Sequence, residues 1–114
     1  MAYDDAGELR DRVTFQRFKG NRDALGDPLY HRDEYWEDAF RTWANVRAIS
    51  SGEYYKAEQS ESYITHTIKI RYRTDVQAEM RVLLGSRTFR IESPPIDLTG
   101  GRQWMQLKVR ELVA

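Results

Sequence analysis

The sequence predicts a mostly β chain: a small antiparallel β-barrel of about six strands, with one short α-helix and a long loop over about residues 19–40. Three observations carry this prediction. Six segments carry apolar residues at strand spacing, most of them alternating with polar ones, the pattern of a half-buried strand. Most connections between them are short, which favours antiparallel pairing. The number of strands creates an edge problem that closure into a barrel or sandwich solves.

The elements follow in order. Residues 12–18 alternate Val13 and Phe15 with Thr14 and Gln16 and predict a first strand. Residues 19–40 hold Gly20-Asn21, Gly26-Asp27-Pro28 and a charged run over 32–38, all of which resist regular structure. A connection of that length is functional or disordered in most compact domains. Its Tyr30, Tyr35 and Trp36 need a surface to pack on, either the chain's own core or a partner. Residues 41–50, with Trp43, Ala44, Val46 and Ile49, predict a second strand. Ser50 and Glu53 form a capping box that opens a short helix over about 52–59. Residues 63–73 predict a strand with one apolar face (Ile64, Ile68, Ile70, Tyr72) and one basic face (Lys69, Arg71, Arg73). Segments 80–84 and 87–92 flank Gly85-Ser86, which suits a type II′ hairpin. Pro94-Pro95 and Gly100-Gly101 mark a loop over 93–102. Residues 103–113 form the last strand, with Met105, Leu107, Val109 and Val113 on one face.

The length, 114 residues, fits a single domain over 1–114 with one core. The chain has no cysteine, which excludes disulfides and thiolate metal sites. No apolar run reaches the roughly 20 residues that span a bilayer. The polar, acidic N-terminus lacks the apolar stretch of a signal peptide. The expectation is synthesis in a cytoplasm and no membrane partner.

Eighteen basic and eighteen acidic residues cancel. Residues 1–40 hold ten acids and six bases, a net −4, and residues 41–114 hold eight acids and twelve bases, a net +4. Neutrality argues against nucleic-acid binding as the main task. The asymmetry suggests complementary surfaces, although a solvated mixed surface gives the same pattern.

Catalytic chemistry is poorly supplied. His31 stands in the acidic loop and His66 on a strand, with no spacing that binds metal. His66 is expected to be half-buried and bonded to a neighbour. No glycine motif makes a phosphate loop. The expectation is no enzyme, no cofactor and no metal. Lys69, Arg71 and Arg73 lie about 7 Å apart along one strand face, near a phosphate spacing. An OB-like module that binds single-stranded nucleic acid is therefore an alternative. Cations that only guard a strand face are commoner.

An ordered set of segments resembles the phage head–tail joining family, the head-closure or stopper proteins. It begins with Gly7-Glu8-Leu9-Arg10-Asp11-Arg12-Val13-Thr14-Phe15-Gln16 and continues with Asp23 to Gly26 and Trp36. Trp43-Ala44-Asn45-Val46 and Gly52-Glu53-Tyr54-Tyr55 follow, then Thr65-His66-Thr67-Ile68-Lys69-Ile70-Arg71-Tyr72-Arg73-Thr74-Asp75. The set closes with a hairpin over 80–91 and a strand ending near Glu111. Segment 18–40 is longer and more acidic than the usual family loop, and the family often has Pro where Thr74 stands.

The resemblance implies a barrel subunit whose copies form a homo-oligomeric ring in the virion, below the portal and adaptor ring. Such a ring joins head to tail, meets tail proteins and retains the packaged double-stranded DNA that passes through its channel. Another neck ring protein, an adaptor or tail terminator, is the neighbouring alternative. A head-to-tail ring needs two different matching patches on each subunit. The expected contact or channel loop is Tyr30, Asp33, Glu34, Tyr35, Trp36, Glu37 and Asp38. The expected basic interaction face is Lys69, Arg71 and Arg73.

Overall fold

A computed structural model describes residues 9–49, 64–98 and 100–112. Among the described residues seven strands run in order: β1 (Asp11–Phe18), β2 (Trp36–Ala48), β3 (His66–Arg71), β4 (Arg81–Leu84), β5 (Arg87–Ile91), β6 (Ile96–Asp97) and β7 (Trp104–Leu112). All pairings are antiparallel. The sheet order is β3-β2-β1-β4-β5-β7-β6, and β3 also pairs with β7. Six strands therefore close into a barrel. The two-residue β6 adds no wall of its own. It pairs with β7 at Gln106 and Met105, below the stretch where β5 pairs from Leu112 to Val109. β5 and β6 thus form one line along β7, interrupted at Pro94-Pro95, where a proline has no N–H to donate.

The expected mostly-β barrel is what forms. The predicted helix over 52–59 lies outside the described residues. Among the described residues the one helical element is a 3-10 turn at Asp33–Tyr35.

Alternation decides which side chains enter the barrel. Val13 and Phe15 of β1, Ala44 of β2, Ile68 and Ile70 of β3, Val82 of β4, Phe89 and Ile91 of β5, and Met105, Leu107 and Val109 of β7 form one buried cluster, with Met80 at its end. Each large member stabilises the fold by about 1.5–3 kcal/mol relative to exposure. Phe40 stacks on Phe15 with ring centroids 4.6 Å apart. The β4–β5 turn has Gly85 at φ 60° and no positive φ at Ser86. Type I′ needs positive φ at both positions, so the turn is the expected type II′.

β3 is shorter than the expected 63–73, β6 lies within the expected loop 93–102, and the largest boundary difference is at β2. β2 begins at Trp36, and the irregular connection ends before it. Phe15 pairs with Phe40 but Gln16 pairs with Asp38. Ala39 is therefore an extra residue, a bulge that reverses the side on which following residues point. The reversal hides residues 36–40 from a period-2 reading, because the alternation changes phase within the strand.

Residues 19–35 fold back on themselves as an extension of the β1–β2 ribbon. Lys19 N–H donates to the Tyr35 carbonyl (2.8 Å) and Leu29 N–H to the Asn21 carbonyl (3.0 Å). Arg22 and Pro28 form an isolated bridge. At the tip the Asp23 carboxylate accepts from the N–H groups of Leu25 and Asp27, both at 2.9 Å. This is the local capping that makes Asp a turn residue. It presents Leu25 at 88% exposure.

Candidate interaction surfaces

The expected loop residues split between two surroundings. The aromatic ones pack on the chain itself. Phe18, Tyr30 and Trp36 form a cluster on the outside of the barrel, with centroids 4.7 Å, 5.2 Å and 6.0 Å apart. The Trp36 indole N–H donates to the Tyr30 carbonyl at 2.9 Å. Arg81, paired with Gln16 across β1–β4, lies over Trp36 at 4.5 Å. Its guanidinium donates to Gln16 Oε1 (2.8 Å) and Asp33 Oδ1 (3.0 Å). Arg90 lies over Tyr30 at 5.2 Å. Tyr35, half-buried, has Arg32 over its ring at 5.8 Å. A cleft of about 90 Å³ opens here, lined by Tyr30, Trp36, Ala78, Arg81, Arg90 and Leu112 among others.

The acidic side chains are exposed but partnered. Asp33 meets Arg81, Glu34 meets Arg32 and Glu37 meets Arg17 at 2.9 Å. Asp38 accepts from Gln16 Nε2 at 2.9 Å. Arg81 was legible only as a strand residue. Its role depends on the β1–β4 register, which no local pattern encodes.

The basic row also divides. Lys69 is 9% exposed and lies over the Trp104 ring at 4.8 Å. Arg71 is exposed and lies over the same ring at 5.0 Å. Arg73 lies beyond the end of β3, holds Asp75 with two bonds of 2.9 and 2.8 Å, and covers Phe40 at 3.8 Å. The Arg73 guanidinium holds the Asp75 carboxyl below its ordinary value. Register places Trp104 opposite Arg71, so the cations cover an outward-facing indole that is 2% exposed.

His66 is half-buried at the barrel end, as expected. Arg87 donates to its Nε2 at 3.2 Å. An arginine only donates, so the ring proton sits on Nδ1 and points to the Thr65 hydroxyl, 2.8 Å away. Burial lowers the His66 pKa below its ordinary value, with Glu111 opposing and Arg87 reinforcing the shift. Glu111 is held low by its bonds from Arg87, 2.9 and 3.1 Å long. Among the described residues no group of three His, Asp or Glu side chains is arranged to hold a metal ion, and no helix is long and apolar enough to cross a membrane.

Comparison with known proteins gives these arrangements a setting. The family model described as phage head completion protein matches residues 4–112. The chain is 31% identical over 104 residues to head completion protein gp16 of Bacillus phage SPP1, covering 91% of this chain and 92% of that protein. The solution structure of SF1141 from Shigella flexneri 2a superposes with a TM-score of 0.71 at 32% identity, over 94% of this chain and 96% of the other. A chain in the virion of a native gene transfer agent particle shares the fold, with a TM-score of 0.62 at 21% identity, over 93% and 97% of the two chains. The chain belongs to the phage head completion protein family, which is a family of virion structural proteins and not of enzymes.

Proposed function

We propose that this chain is the head-closure, or stopper, component of a phage neck. In this reading copies form a ring below the portal and adaptor, hold packaged DNA in the head and give the tail its attachment point. The observation that carries the reading is the family match along nearly the whole chain. The geometry is compatible with it. A closed barrel leaves few unpaired strand edges, so assembly has to use side-chain patches and extensions rather than open-ended strand addition. The ribbon extension at 19–35 offers such a projection. Its tip carries an exposed leucine stiffened by Asp23.

Within this reading the extension meets a neighbouring subunit or the channel. Asp33 keeps 90% of its side chain exposed while bonded to Arg81, so it can take a second partner. Reversing the charges of Asp33, Glu34, Glu37 and Asp38 is expected to weaken assembly or slow DNA exit.

Image reconstruction of purified particles at the vertex where the tail joins tests the reading. It predicts barrel-shaped density for this chain in a closed ring at that vertex. Density for this chain at another place in the particle would overturn it.

A further inference from the structure

Several arginines of the described chain are committed to carboxylates: Arg17 to Glu37, Arg32 to Glu34, Arg73 to Asp75, Arg81 to Asp33, Arg87 to Glu111 and Arg110 to Glu92. Two that are not committed converge. Arg71 and Arg102 line one groove of about 410 Å³ together with Tyr72, Gln103 and Trp104. Neither makes an ion pair among the described residues, and both are exposed.

The groove is built, not incidental. Tyr72 N–H donates to the Gln103 carbonyl at 3.0 Å, which extends the β3–β7 pairing to this end. Arg71 is stacked on the Trp104 ring, which restricts the long side chain before any ligand arrives. Arg102 has φ 57°, the one positive φ among the described non-glycine residues. That conformation costs an L-residue about 1–2 kcal/mol. It is held by the Asp97 carboxylate, which accepts from Gly100 N–H and Arg102 N–H, both at 3.1 Å. A strained arginine at the mouth of a groove is the kind of outlier that points to function.

We propose that this groove binds a phosphate of the DNA backbone, with Arg71 and Arg102 as the two guanidiniums that face it. Guanidinium forks match phosphate oxygens with paired hydrogen bonds. The groove is open and mostly polar, so it suits a chain that passes along it rather than a small molecule that must be enclosed. Sequence is not read here, because phosphate contacts carry no base information. The overall neutrality of the chain limits the contact to a few phosphates, so binding is weak and its salt dependence is set by that small number. The choice of DNA as the source of the phosphate rests on the proposed place in the neck.

The test is fluorescence anisotropy of a labelled 20-base-pair duplex titrated with the full chain at several salt concentrations. Replacing both arginines (R71Q with R102Q) is expected to weaken binding about tenfold. It should also reduce the slope of log affinity against log salt by about 1.8, the value for two lost phosphate contacts. Arg102→Gly guards against misfolding, since glycine accepts the positive φ without strain. It should bind more weakly while its stability holds or rises. No binding by the native chain at low salt, unchanged affinity in both arginine variants, or binding of inorganic phosphate without binding of duplex would each overturn the proposal.

Discussion

The barrel interior and the outer patch beneath residues 19–35 are held by different physics. Inside, apolar side chains of six strands meet. Outside, Phe18, Tyr30 and Trp36 are roofed by Arg81 and Arg90, and the contacts are ring faces, guanidiniums and single hydrogen bonds. The interior depends on area removed from water, which any strand of the right period supplies. The patch depends on particular partners, brought together by a bulge and a distant register. A change in the interior should therefore cost through volume, and a change in the patch through one lost partner.

The largest effect is expected inside. Phe89→Ala removes a fully buried ring and should cost about 3–5 kcal/mol in chemical denaturation. A cost below about 1 kcal/mol would mean that the interior is not the main source of stability. Arg81→Met keeps most of the volume but removes the bonds to Gln16 and Asp33. It should cost about 1–2 kcal/mol, and most of that cost should vanish in a Trp36→Ala background if the stacking is the dominant part. Additive losses would place the weight on the hydrogen bonds instead. Gly85→Ala meets no atom within 4 Å, so its expected cost of about 1 kcal/mol is purely conformational.

These differences explain what the sequence made legible. The interior was readable because burial imposes period 2, and Val13, Phe15, Ile68, Ile70, Val82, Phe89, Leu107 and Val109 all keep it. The Gly85-Ser86 turn was readable because its chemistry is local. The patch was readable only as three aromatics in need of a surface. That surface is Phe18 with Arg81 over it, and the Ala39 bulge that sets the ribbon's phase leaves no mark in composition. The basic row was visible as Lys69, Arg71 and Arg73, but not its division. Trp104 sits on the outward face by parity, and only the β3–β7 register shows that it is the floor under Lys69 and Arg71. Arg102 lay in a predicted loop, with no signal for its positive φ.

The smallest effect is a pH dependence at the barrel end. His66 has a folded-state pKa below its ordinary 6.5, so the unfolded chain binds the proton more readily. Stability should fall as pH drops below about 6.5 and stop falling beneath the folded-state value. Glu111 is also held low, from 4.5, so its contribution is present above that value and is lost as pH falls through the folded one. His66→Gln should flatten the upper limb of a stability-against-pH curve and leave the lower limb. An unchanged upper limb would assign it to another group.

Head closure is the role proposed for this chain. Its most direct test is imaging of particles made when the gene is deleted and then restored. A head-closure role predicts heads that package DNA, lack tails and lose their DNA, with tailed, stable particles returning on restoration. Normally tailed particles that retain their DNA without this chain would contradict it.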